Sequence, residues 1–77
     1  MKKEFLKFNH IGVATDDIKA TVEAYKSLSY VLSSEICEDK TQDVRVCILK
    51  KKKFPDIELI EPLSENSPVV KILKKNN

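Results

Sequence analysis

The apolar residues of this chain change their spacing twice, and that change limits the folds open to it. From residue 5 to residue 14 they alternate, with Phe8, His10, Gly12 and Ala14 on one face and Asn9, Ile11 and Val13 on the other. Alternation is the period of a strand, and Gly12 leaves room beside it for a ligand or a neighbouring backbone. At Ile18 the spacing becomes four, three and three, through Val22, Tyr25 and Leu28. That is the stripe of an amphipathic helix, with Asp16 and Asp17 available to cap it and Lys19, Glu23 and Lys26 on its wet side. The pattern then returns to alternation. Residues 29–38 read as a second strand, 42–49 as a third with Val44, Val46 and Ile48 on one face, and 55–61 as a fourth entered through Pro55. Ser67 can cap a short final helix with Pro68 in its first turn and Val69, Val70, Ile72 and Leu73 as its apolar side. Lys74 to Asn77 read as a frayed end. The order β-α-β-β-β plus a helix predicts an α+β fold, a small sheet with a crossover helix on one face.

With 77 residues, the chain suffices for one domain, and a domain this small buries only about 60% of its unfolded surface. Such domains lean on disulfides, metals or oligomerisation. Cys37 and Cys47 are the only cysteines, and without Cys-x-x-Cys spacing they read as small buried or half-buried fillers. The charged start Met1-Lys2-Lys3-Glu4 is followed by no apolar run of signal length, and no segment reaches the roughly 18 apolar residues of a membrane span. The expectation is a cytoplasmic protein with reduced thiols, no membrane contact, and oligomerisation as the stabiliser.

Lysine and arginine total 14 against 12 acidic residues, a net charge of +2. That balance predicts no nucleic-acid partner, and the five aromatics (three Phe, two Tyr) are not interleaved with lysines as a stacking platform requires. The one local excess, Lys50-Lys51-Lys52-Lys53, reads as a solvated hairpin turn, with a phosphate-steering patch as the alternative.

Three stretches carry a family resemblance. They are His10-Ile11-Gly12-Val13-Ala14 with Asp16-Asp17-Ile18, then Gln42-Asp43-Val44-Arg45-Val46, and finally Ile57-Glu58-Leu59-Ile60-Glu61-Pro62-Leu63 leading to Glu65-Asn66-Ser67-Pro68-Val69. The chain resembles one βαβββ module of the vicinal oxygen chelate superfamily, which includes glyoxalase I, extradiol dioxygenases and bleomycin-resistance proteins. It is most similar to the methylmalonyl-CoA epimerase branch. The resemblance implies a single module over residues 1–77, with the second module of the relatives absent. It also implies that His10 and Glu58 are metal ligands and that the metal is cobalt, nickel, manganese or zinc, or none in the drug-sequestering branch. Imidazole and carboxylate together suit such ions.

The function so implied is half of a metal-dependent isomerase or lyase acting on an acyl-CoA or small carbonyl substrate. It would be complete in a homodimer or with a second module. Gln42 is the candidate for substrate binding, and Glu58 for the catalytic base. Departures from the family pattern stand against full activity. One module supplies two ligands, and Val46 occupies a position where some epimerases carry a carboxylate base. Asp43 also stands where relatives often have glycine. Two alternatives remain: a metal-free ligand-binding module of the bleomycin-resistance type, and an inactive fragment of a longer epimerase-like protein.

Overall fold

The computed structural model describes residues 10–75, with only the backbone of His10. The predicted strand residues 5–9, and Asn76 and Asn77, lie outside the described residues. Five strands and two helices follow in the order β1 (His10–Ala14), α1 (Ile18–Ser27), β2 (Val31–Leu32), β3 (Cys37–Asp39), β4 (Val44–Lys50), β5 (Asp56–Pro62) and α2 (Pro68–Lys75). They make a mixed sheet in the order β1-β5-β4-β2, with β3 also paired to β4. β1 runs parallel to β5, and the other pairs are antiparallel. The predicted α+β module with its C-terminal helix is what forms.

Helix α1 starts where the sequence offers a cap. The Asp17 carboxylate accepts the Ala20 N–H at 3.1 Å, meeting one of the donors left free at a helix start. The other end closes at Ser29, whose φ of 74° lets Ser29 N–H reach the Lys26 carbonyl and Tyr30 N–H reach Tyr25. Serine thus does the work that glycine usually does after a helix. Leu28 departs from the expected stripe. It lies past the last helical residue and is 59% exposed, because the chain turns away before its side chain can meet the sheet.

Ile18 and Val22 pack over Cys47 and Leu49 of β4 and Ile57 and Leu59 of β5, all nearly inaccessible. Val13, Tyr25, Tyr30, Leu32 and Ile36 rim this core, with Tyr25 and Tyr30 edge-to-face at 5.3 Å. Cys47 is the small filler expected of it, whereas Cys37 is exposed and free. Cys37 lies on β3, outside the footprint of α1.

The predicted second strand breaks in two. Leu32 faces Leu49 and Cys37 faces Val46, so one side advances five residues (32 to 37) while the other advances three (49 to 46). The two surplus residues bulge at Ser33-Ser34. The ladder is patched there by Ser33 N–H donating to the Ile48 carbonyl at 2.8 Å and Ile48 N–H donating to Ser34 Oγ at 3.0 Å. The last helix also differs from expectation by continuing through Lys74 and Lys75. Cationic side chains favour a helix C-terminus, where the backbone dipole is negative. Among the described residues no helix is long and apolar enough to cross a membrane.

Candidate functional site

Helix α1 covers one face of the sheet and leaves the other open. Alternation along β4 gives the open face Val44, Val46, Ile48 and Lys50. Register then adds Asp56, Glu58 and Ile60 from β5, because Ile48 stands opposite Glu58 and Val46 opposite Ile60. On β1, Gly12 stands opposite Glu58 and His10 opposite Asp56. Residues two apart on a strand share a face, so His10 and Glu58 occupy the same side of the sheet. Their Cα atoms stand roughly 8 Å apart, given ordinary strand spacing and rise.

Gly12 lies between them, and among the described residues a methyl group there would meet only Ile60 Cδ1, at 3.8 Å, an ordinary van der Waals contact. Among the described residues, no three His, Cys, Asp or Glu side chains converge as a metal cluster.

Glu58 is half-buried and sits where two clefts meet. The first, of about 670 Å³, is walled by Val44, Val46, Ile60, Val69 and Pro68, and it also holds Gln42. The second, of about 370 Å³, runs the other way past Ile48, Ser33 and Ser34 to Lys50 and Asp56. The structure thus brings Gln42 and Glu58 to one cleft.

Gln42 is held by its backbone, its N–H donating to Asp39 Oδ1 at 3.1 Å. The next residue, Asp43, has a φ of 59°. That is the left-handed region, which glycine enters without penalty and aspartate tolerates. Its carbonyl accepts Leu63 N–H at 3.0 Å and its carboxylate accepts from Ser64 Oγ. The Gln42 turn is thereby tied to the segment before α2, and that tie closes the wall of the first cleft with Asn66 and Val69. Neither Ser33 nor Ser34 carried a functional signal in the sequence, and Asn66 stood out only as part of the stretch that carries the family resemblance. The only hint was a serine pair interrupting a strand pattern, which marks a break rather than a site.

A second polar cluster lies on the helix side. Glu61, which precedes Pro62 at the end of β5, is buried at 9% exposure. Its Oε2 accepts Ile18 N–H at 2.8 Å, and its Oε1 accepts from Arg45, which also donates to Glu38 at 3.0 Å. The carboxylates of Glu38 and Glu61 hold the Arg45 guanidinium above its already high range, so it stays charged at any working pH. The signal was present in the sequence: Ile57, Leu59 and Glu61 share the parity that faces α1. This cluster joins the helix start to the sheet and stands apart from the open face.

A search of curated proteins finds no match. Among solved structures, a hypothetical protein BH1468 from Bacillus halodurans is 37% identical at a TM-score of 0.76, over 86% of this chain and 47% of that one. Methylmalonyl-CoA epimerase from Mycobacterium tuberculosis is 29% identical at 0.76, over 86% and 45%. The Streptomyces coelicolor methylmalonyl-CoA epimerase, solved in complex with 2-nitronate-propionyl-CoA, is 34% identical at 0.75, over 87% and 50%. This chain therefore spans about half the length of the structures it matches. The family description Glyoxalase/Bleomycin resistance protein/Dioxygenase superfamily matches residues 9–77. With a βαβββ sheet, an open face and that match along nearly its whole length, the chain belongs to the glyoxalase/bleomycin resistance/dioxygenase superfamily.

Proposed function

We propose that this chain is one module of a metal-dependent isomerase or lyase acting on an acyl-CoA or another small carbonyl compound. The active unit forms when a second module, from another copy or another chain, meets its open face. What supports the reading is the backbone register, which sets His10 opposite Asp56, two residues along β5 from Glu58, with Gly12 opposite Glu58.

An imidazole and a carboxylate in that arrangement fit half of a divalent site, and cobalt, nickel, manganese or zinc suits the pair. A two-fold axis through the open face would supply the matching half. A bound divalent ion supplies Lewis-acid stabilisation of charge developing on a substrate carbonyl. The chain's own residues do the rest. Gln42 presents its amide to a substrate lodged in the first cleft. Val44, Val46 and Ile60 exclude water there, which strengthens every polar contact inside. With valine at position 46, the group left to move a proton beside the carbonyl is Glu58, or a residue of the second module.

A second reading draws on the same valine. Val44, Val46, Ile48 and Ile60 make the middle of the open face apolar, which suits a metal-free ligand-binding module whose affinity chelators do not alter. Molecular mass in solution combined with metal analysis separates the two. A dimer with one divalent ion per two chains, lost in Glu58→Gln, supports the isomerase or lyase reading. An apo monomer that takes up no nickel, cobalt, manganese or zinc overturns it.

A further inference from the structure

One end of the sheet carries apolar side chains that the fold leaves uncovered. There α1 stops at Ser27, β2 begins at Val31, and β4 and β5 are joined by the turn 51–55. Leu28, just past the helix, is 59% exposed, and Phe54 in the turn is 53% exposed. Val31 is 66% exposed at the same end, on the face away from α1, because its register partner is Lys50. Among the described residues, none of the three helps to fill the core under α1.

One lysine clamps these segments together. Lys51 Nζ donates to the Leu28 carbonyl at 2.8 Å and lies 5.6 Å from the centre of the Tyr30 ring and 4.6 Å from that of Phe54. A ring face attracts an ammonium group, so Lys51 fastens the turn to the end of α1 at the helix-side rim of the sheet. Phe54 N–H closes the turn on the Lys51 carbonyl at 3.0 Å, and Lys53 takes a φ of 71°. Lys52 and Lys53 are exposed, and neither forms an ion pair among the described residues. The strand ends and loops at the other end of the sheet lean acidic, with Asp16, Asp17, Asp39, Asp43 and Glu65 against Lys40. Charge is thus sorted along the strands, and it is basic where the apolar side chains protrude.

We propose that this tip, Leu28 and Phe54 with Lys52 and Lys53 around them, docks on an anionic lipid surface. The lysines contribute through the negative potential of such a surface, and the apolar side chains by entering the boundary beneath the headgroups. Sorted charge gives the approach a direction, since an anionic sheet attracts the tip and repels the far loops. Two observations favour lipid over a protein partner. The exposed apolar side chains protrude singly from three separate segments, and lipid accepts them without a matching pocket. Together they offer far less than the ~800 Å² per partner that a stable protein interface buries. The expectation of no membrane contact rests on the lack of a spanning run, and a surface contact needs none. Docking by the tip is independent of the chemistry on the open face.

Co-sedimentation of the full chain with vesicles of mixed phosphatidylserine and phosphatidylcholine tests the docking, with phosphatidylcholine vesicles alone as the comparison. Binding should require phosphatidylserine and weaken as salt is added. Lys52→Glu/Lys53→Glu should weaken it about thirtyfold or more. Leu28→Gln, which keeps the carbonyl that Lys51 uses, should weaken it about fivefold. Lys71→Glu/Lys74→Glu on α2 and Lys2→Glu/Lys3→Glu near the chain start should each matter far less at physiological salt, where charges more than ~8 Å from the surface are screened. Phe54→Trp, in a chain without tryptophan, should shift its emission to the blue on phosphatidylserine vesicles. Retained melting temperature in the variants shows that they fold.

Equal binding to the two kinds of vesicle, absence of binding, or indifference to Lys52→Glu/Lys53→Glu overturns the proposal. So does a larger loss from the α2 pair or the N-terminal pair than from the turn pair, which would put the contact elsewhere. Unshifted Phe54→Trp emission in vesicle-bound protein also overturns it, because the ring then stays in water. Turn-dependent binding to poly-glutamate without binding to vesicles would make the tip a site for an acidic protein segment, and overturns the lipid surface.

Discussion

Glu61 shows how much one side chain can carry in a sheet this small. Its carboxylate joins the first backbone donor of α1 to Arg45 and, through Arg45, to Glu38 on β3. Replacement by alanine leaves Ile18 N–H without an acceptor and should cost about 1–2 kcal/mol in urea unfolding. Glu61→Gln, whose amide oxygen still accepts from Ile18, should cost less. Asp43 offers the complementary case. Its φ of 59° disfavours any residue with a Cβ, and its bond from Ser64 offsets part of that strain. Asp43→Ala loses the bond and keeps the strain, whereas Asp43→Gly loses both. Glycine should therefore melt above alanine here, a difference of about 1 kcal/mol. The reverse ranking would mean that the backbone strain at this turn is not what matters.

At the scale of elements, the informative feature is the break in the strand predicted over residues 29–38. Two short pieces, β2 and β3, pair with one continuous β4 because Ser33-Ser34 absorb two extra residues. The bulge brings Ser33 and Ser34 to the lining of the channel that runs from Glu58. Bulges commonly re-aim side chains next to sites. Ser34→Ala removes the side-chain acceptor for Ile48 N–H and should speed hydrogen exchange at that amide while lowering stability by about 0.5–1.5 kcal/mol. Unchanged exchange at Ile48 would show that the backbone holds the bulge unaided. The two helices divide the labour: α1 seals the core face, and α2 brings Val69 and Pro68 to the edge of the open one.

At the scale of the whole molecule, the core is a single layer of side chains between α1 and the sheet, with Cys47 at its centre and 1% exposed. Burial pushes the Cys47 thiol above its ordinary 9.0. In the unfolded chain the thiol ionises near that value, while the folded protein keeps it protonated to higher pH. Its contribution to stability is therefore full below about pH 9 and is lost as pH rises through the folded value, at up to about 1.4 kcal/mol per pH unit. Melting temperatures from pH 8 to 10 should fall more steeply for the native chain than for Cys47→Ala, even though the alanine variant starts lower. Parallel slopes would assign the alkaline loss to lysines and tyrosines instead.

Spacing along the chain determined the strands, the helices, the cap at Asp17 and the α+β class, because those depend on residues within one or two turns of each other. The placement of His10, Gly12 and Ala14 on one face, and of Val44, Val46 and Ile48 on one face, was likewise legible from alternation alone. Register was not. Which residue of β1 stands beside Glu58, and that Glu58 joins two clefts, depends on pairing between strands more than 40 residues apart. Nothing local encodes that alignment. The burial of Glu61, the exposure of Leu28 and Cys37, and the clamp on Lys51 were decided the same way. Each depends on where a distant element packs, and only closing the sheet under α1 settles which side chains are covered and which are left to meet a ligand.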